Sequence, residues 1–189
     1  MEKDVVLSAP KAANHLNNIA RAVHAAHGGD RFPVDVEQFA LGCADVFKWK
    51  DPIAKIEGAN IPNFEGMLSS NEARSKWMIL YNSNLRSQGR IRFTKAHELG
   101  HYILHRTRQE EFMCSRNDML DWSSQKNIES EADTFASYLL MPLDDFREQV
   151  KGQLNLDSLS HCADRYGVSL TASILKWLSY TSERAVLIM

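Results

Sequence analysis

Apolar residues fall along the chain in stretches of two different periods. Leu16, Ile19, Ala20, Val23 and Ala26 recur at the three- and four-residue steps of a helix face, with Ser8-Ala9-Pro10 ahead as a start and Gly28-Gly29 behind as a stop. Pro33 leads into a short second helix around Asp35 to Cys43, and residues 48–63, which hold Pro52, Gly58 and Pro62, read as a connection. Over 64–69 and 76–82 the step drops to two; in the second run Trp77, Ile79 and Tyr81 alternate with Met78 and Leu80, which predicts an antiparallel hairpin. The helical step returns over 94–105, flanked by Phe93 and carried by Ala96, Leu99, Gly100, Ile103 and Leu104. It returns again over 127–142, where Pro142 ends it. The pattern therefore predicts an α+β fold: a small antiparallel sheet packed on two core helices, with additional N- and C-terminal helices. One domain spans 1–189, with a helical cap over 1–60, a core over 61–145 and a C-terminal helical segment over 146–189.

The helix over 94–105 carries polar groups that a buried helix would not be expected to hold. His97-Glu98-Leu99-Gly100-His101 places two histidines four residues apart, about 40° around the helix axis, so both imidazoles can face one ion. Glu98 beside them can act as general base toward a metal-activated water. A random chain of this length shows the pattern roughly once in a hundred, so the alternative of two solvated or carbonyl-capping histidines has to be weighed against context. Context favours a metal, because burying unpaired imidazoles and a carboxylate is costly. Gly100 costs about 1 kcal/mol relative to alanine in mid-helix, which points to close approach of another backbone or a ligand.

A catalytic zinc takes three protein ligands and keeps a fourth position open. His105 is excluded as the third by helical rise: it lies about 12 Å from His97 along the axis, whereas two ligands of one zinc sit within about 4 Å. It is expected near the ligands or at the surface. The helix over 127–142 offers Glu129 and Asp133 on the face of Ala132, Ala136 and Leu140. Glu129 is the expected third ligand and Asp133 an acceptor that orients a ligand histidine; Glu131, turned about 200° from Glu129, is the runner-up ligand.

Two long motifs now stand in order: Arg90-x-x-Phe93-Thr94-x-Ala96-His97-Glu98-Leu99-Gly100-His101-x-x-Leu104-His105, then Glu129-x-Glu131-Ala132-Asp133-x-Phe135-Ala136-x-x-Leu139-Leu140-Met141-Pro142. Together they resemble the ImmA/IrrE family of metallopeptidases. Weaker similarities at Pro33–Ala40, Phe64–Leu68 and Asp164–Ser169 extend the resemblance over about residues 30–180. The resemblance implies a minimal zincin-like fold and a gluzincin-like zinc (Zn2+) site in which His97, His101 and Glu129 match the ligand positions and Glu98 the catalytic carboxylate. It also implies a protein substrate, a helix-turn-helix repressor or antitoxin encoded nearby in a bacterial regulatory or mobile-element system. Asp133 stands where many relatives carry Asn, which keeps the hydrogen bond and makes it charge-assisted. The competing class is a non-hydrolytic zinc-containing module that signals through a partner; an intact Glu98 weighs against it.

Global properties fit an intracellular enzyme. The 189 residues suffice for a core without disulfide staples, and Cys43, Cys114 and Cys162 are scattered and read as reduced thiols. The opening segment has no apolar core of signal-peptide length and no window approaches a membrane span, so a cytoplasmic location is expected. A net charge of -2 argues against a nucleic-acid binder. The helices over 156–166 and 170–180 resemble a helix-turn-helix, yet the second offers only Lys176 to phosphate, while Leu170, Ile174, Leu175 and Leu178 read as core. Packing on the catalytic domain is expected instead. Residues 106–126, with Phe112, Met113, Met119 and Trp122, form either a cleft wall or a connector with a short strand at Phe112 to Ser115. Tyr81, Tyr102, Tyr138 and His161 are candidates for stabilising an oxyanion.

Overall fold

Ser87 sets the start of the helix around which the rest of the chain is arranged. The computed structural model describes residues 7–60, 62–85, 87–115, 124–151 and 155–187. In it the Ser87 hydroxyl accepts from the Arg90 N–H at 3.1 Å and opens α3, Gln88–His105. The apolar repeat places this start near Thr94; the extra turns arise from the cap, which hydrophobic spacing does not register. Leu99 and Tyr102 of α3 are fully buried, and the Tyr102 hydroxyl donates to the Asp51 carbonyl at 2.8 Å.

The second core helix is α4, Ser124–Leu140. It crosses α3 at Gly100, where a Cβ would stand 3.2 Å from Ala132 Cα and 3.0 Å from the Phe135 ring. Backbone therefore meets backbone at the crossing, the close approach that a glycine in mid-helix anticipates. Helix α1, Ala9–His27, packs on α4 through the fully buried Ala12, Ala13 and Leu16. Asn17 of α1 donates to the carbonyls of Tyr138 and Leu139, part of the unpaired C-terminal turn of α4. The contact covers only the first half of α1: Val23, read from its spacing as part of the apolar face, is 54% exposed. Helix α2, Val36–Phe47, is capped by Asp35, whose carboxylate accepts from the Gln38 N–H at 3.0 Å.

Four strands are seen among the described residues: β1 (Ile53–Ala59), β2 (Phe64–Ser70), β3 (Trp77–Asn82) and β4 (Glu111–Ser115), side by side in the order β1-β3-β2-β4. The expected hairpin is present as β2 antiparallel to β3. The sheet is nevertheless mixed rather than wholly antiparallel, because β1 pairs parallel with β3. The sequence alone reads as a connection there, because Pro52 and Gly58 look like breakers and Lys55 and Glu57 are exposed on an outer strand. Both breakers have structural uses. The Pro52 carbonyl accepts from the Trp77 N–H at 2.9 Å, and the missing side chain of Gly58 makes room for the Tyr81 ring. Across the sheet Ile56, Ile79, Leu68 and Phe112 lie in register, the last three buried. Helix α3 packs against β2 and β3.

Beyond Pro142 come α5 (Leu143–Gln149), α6 (Leu156–Tyr166) and α7 (Leu170–Leu178). Asn155 and Ser158 form a reciprocal cap on α6, Gly167 ends it in the left-handed conformation, and Arg92 of α3 donates to the Gly167 carbonyl. Helix α7 corrects two expectations. Leu170 and Leu175, read as core, are 40% and 50% exposed. Lys176, the residue offered to phosphate, is buried with its ammonium 3.5 Å from the centre of the Tyr138 ring. The phase of the helix is thus turned from the one its leucines suggest, and the surface it shows carries no lysine. No helix among the described residues is long and apolar enough to cross a membrane.

Candidate metal centre

The α3–α4 crossing brings three side chains to one point. His97 Nε2 and His101 Nε2 are 2.9 Å apart, and the Glu129 carboxylate bridges them, Oε2 at 3.0 Å from His97 Nε2 and Oε1 at 3.3 Å from His101 Nε2. Two donors bound to one tetrahedral zinc at about 2.1 Å stand roughly 3.4 Å apart. The observed spacings fall a few tenths of an ångström short of that, so modest outward rotation would seat an ion. Two neutral nitrogens and one carboxylate oxygen match zinc's ligand chemistry, and three protein donors leave one position open. Both histidines are buried, and Glu129 is part-exposed on the open side. The residues present fit a catalytic zinc, and His97, His101 and Glu129 could hold it.

Each histidine is held from behind. His97 Nδ1 lies 2.9 Å from Asp133 Oδ1, one helical turn beyond Glu129 on α4. His101 Nδ1 lies 3.2 Å from His105 Nδ1, and the Phe112 ring of β4 stacks on the His101 imidazole, centroids 4.7 Å apart at 16°. His105 is fully buried beside the ligands and not at the surface, and Glu131 turns away from the metal position to meet His105 Nε2 at 2.8 Å. Rise along α3 separates His105 from the metal position. The burial of its partner contact was not visible in spacing.

Glu98 is fully buried, and its carboxylate lies against β2. A Cβ on Gly66 would stand 2.5 Å from Glu98 Oε1 and 2.5 Å from Thr94 Cγ2, so any side chain at this strand position must displace the Glu98 carboxylate. The signal in the sequence was a lone glycine inside the strand Phe64-Glu65-Gly66-Met67-Leu68, which marks close approach of a neighbour.

Charge at the centre is distributed unevenly. Burial by itself would lower the His97 imidazole, but hydrogen bonds to Asp133 and Glu129 outweigh it and raise it to about 10. His101 moves the other way, lowered to about 4 by burial in spite of the Glu129 carboxylate beside it. Burial would raise Glu129, but the two histidines outweigh it and hold the carboxyl well below the usual range. The two carboxylates that flank His97 thus favour positive charge at this point of the site.

Other candidates separate from the centre. Tyr102 is spent on Asp51 in the core, Tyr138 underlies Lys176, His161 is exposed on α6, and Tyr81 packs over Gly58 beneath the Lys95 ammonium. Cys43 and Cys162 are buried free thiols, pushed up by burial to about 12 and about 11. Of the long connection, the strand expected at Phe112 to Ser115 is present as β4. Met119 and Trp122, and with them most of the proposed cleft wall, lie outside the described residues.

Comparison with known proteins bears on residues 55–177, which match the model of the family described as the IrrE N-terminal-like domain, peptidase family M78. No curated protein sequence matches the chain. The matched span runs from β1 to α7 and contains every residue of the centre.

Proposed function

The chain belongs to the IrrE N-terminal-like peptidase family, and from that premise we propose that it is a zinc-dependent endopeptidase. It cuts a specific protein partner in the bacterial cytoplasm, a DNA-binding repressor or antitoxin encoded nearby. The observation that carries this reading is the convergence of His97, His101 and Glu129 within 4.8 Å, with the Glu98 carboxylate on the adjoining position of α3.

When bound by those three residues, zinc supplies Lewis acidity toward a water and toward the scissile carbonyl. The remaining work falls to the chain. Glu98, lodged between Thr94 and Gly66, takes the proton of the attacking water and passes it to the departing amine. Asp133 and His105 keep the two ligand imidazoles in fixed rotamers, so that little reorganisation is needed during the reaction. Strand β4 ends the sheet and touches His101 through Phe112, so an extended substrate segment can add along its outer edge. Recognition then rests on backbone pairing plus local side-chain contacts, consistent with a net charge too small for long-range steering.

Mixing the purified chain, loaded with zinc, with the product of the neighbouring gene tests this. Cleavage into two discrete fragments by the wild type, and none by Glu98→Gln with the same zinc content, is expected. If Glu98→Gln cuts or signals as well as the wild type, hydrolysis is not what the protein does.

A further inference from the structure

The two ligand histidines are held in different ways. His97 Nδ1 meets a carboxylate directly, whereas His101 Nδ1 meets a second imidazole, and the far nitrogen of that imidazole meets Glu131. Between the two facing Nδ1 atoms, 3.2 Å apart, only one proton fits. If His105 carried it, His101 Nδ1 would be the acceptor. The proton of a neutral His101 would then sit on Nε2, aimed at His97 Nε2 and Glu129 and blocking the metal position. If His101 carries it, Nε2 is bare and points its lone pair at that position.

Glu131 decides between these arrangements. A carboxylate oxygen accepts, so Oε2 at 2.8 Å favours the proton of His105 on Nε2, which leaves His105 Nδ1 bare. We propose that Glu131 is a positioning residue for the metal site, acting through His105: the Glu131–His105–His101 chain of hydrogen bonds fixes His101 as the Nδ1–H tautomer with Nε2 free to bind metal. The assignment rests on the zinc-site reading above.

The geometry explains features the metal centre leaves unused. His105 is fully buried eight residues beyond His97, too far along α3 to ligate, yet it is not replaced by an apolar residue. Glu131, turned from the Glu129–Asp133 face, still has a buried partner. Helix α4 thereby contributes three carboxylates in alternate positions: Glu129 toward the metal, Asp133 behind one imidazole, and Glu131 behind the other by way of His105. A carboxylate partly exposed at 43% is thus linked to a ligand that is wholly buried.

Zinc affinity of the full chain, measured by competition with a chromophoric chelator, and nitrogen-15 spectra of the metal-free protein test the proposal. The wild type is expected to show His105 protonated at Nε2 and His101 at Nδ1. Glu131→Ala is expected to weaken zinc binding about 10- to 100-fold and to redistribute the His105 proton toward Nδ1. Glu131→Gln, which still offers an acceptor oxygen, is expected to recover most of the affinity and the wild-type tautomer. Unchanged zinc affinity in Glu131→Ala, or His105 protonated at Nδ1 in the wild type, overturns the relay while leaving the zinc site standing. A wild-type chain that binds no zinc overturns the site itself, and with it the role assigned to Glu131, even where the tautomers are as expected.

Discussion

Gly66 of β2 and Glu98 of α3 fit together so closely that a single added methyl group at Gly66 would stand 2.5 Å from the Glu98 carboxylate oxygen. The strand thus forms the seat of the group that moves the proton. The atoms that must yield to a side chain there are the ends of Glu98 and Thr94, not backbone, so the fold can absorb the change and the carboxylate cannot.

Gly66→Ala is therefore expected to leave folding and zinc content near wild type while lowering kcat/KM about 100-fold, the typical cost of displacing a reacting group by about 1 Å. Parallel measurement of zinc by atomic absorption and of cleavage rate checks it. Loss of zinc together with activity would show that the strand supports the ligands and not Glu98.

The raised imidazole of His97 gives a pH signature. Without metal its proton is held from the ordinary value of 6.5 up to about 10, so its contribution to stability is complete below about pH 6.5 and is lost as pH rises through 10. Binding zinc needs that nitrogen bare. Titrating zinc into the metal-free chain at pH 7 in weak buffer should release about one proton per zinc, and affinity should rise with pH. Zinc uptake without proton release would contradict the charged state assigned to His97.

Lys176 has the opposite linkage. Burial lowers its ammonium from 10.5 to about 7, and among the described residues its Nζ has no hydrogen-bond partner, only the Tyr138 ring. The unfolded chain then binds the extra proton between pH 7 and 10.5, so this group's contribution makes the fold more stable as pH rises through that window. Lys176→Met should raise stability at pH 7 by about 1–3 kcal/mol and by less at pH 10, read from urea denaturation at both values. Destabilisation at pH 7 would mean that the contact with Tyr138 outweighs desolvation.

What the sequence disclosed, and what it hid, follows from the range of the forces involved. The helices and the β2–β3 hairpin were legible because their burial repeats locally, and Gly100 announced a helix crossing because glycine in mid-helix is costly unless something approaches. Strand β1 was not legible: its parallel partner β3 is separated from it by the whole of β2, and Pro52 and Gly58 look like breakers at its ends. The phase of α7 was missed because Lys176, which counts as polar, is buried while Leu170 and Leu175 are exposed. At the centre, helical geometry could remove His105 from the ligands. Its pairing with Glu131 depends on how α3 and α4 cross, which no spacing within either helix encodes.

The site as a whole stands or falls on the three side chains that meet across that crossing. Equilibrium zinc binding by the metal-free chain, compared with Glu129→Ala, tests it most directly. One zinc per chain, with affinity falling at least about 100-fold in Glu129→Ala while His97 and His101 remain, is the expected result. Zinc bound equally well without Glu129, or no zinc bound by the wild type, would contradict it.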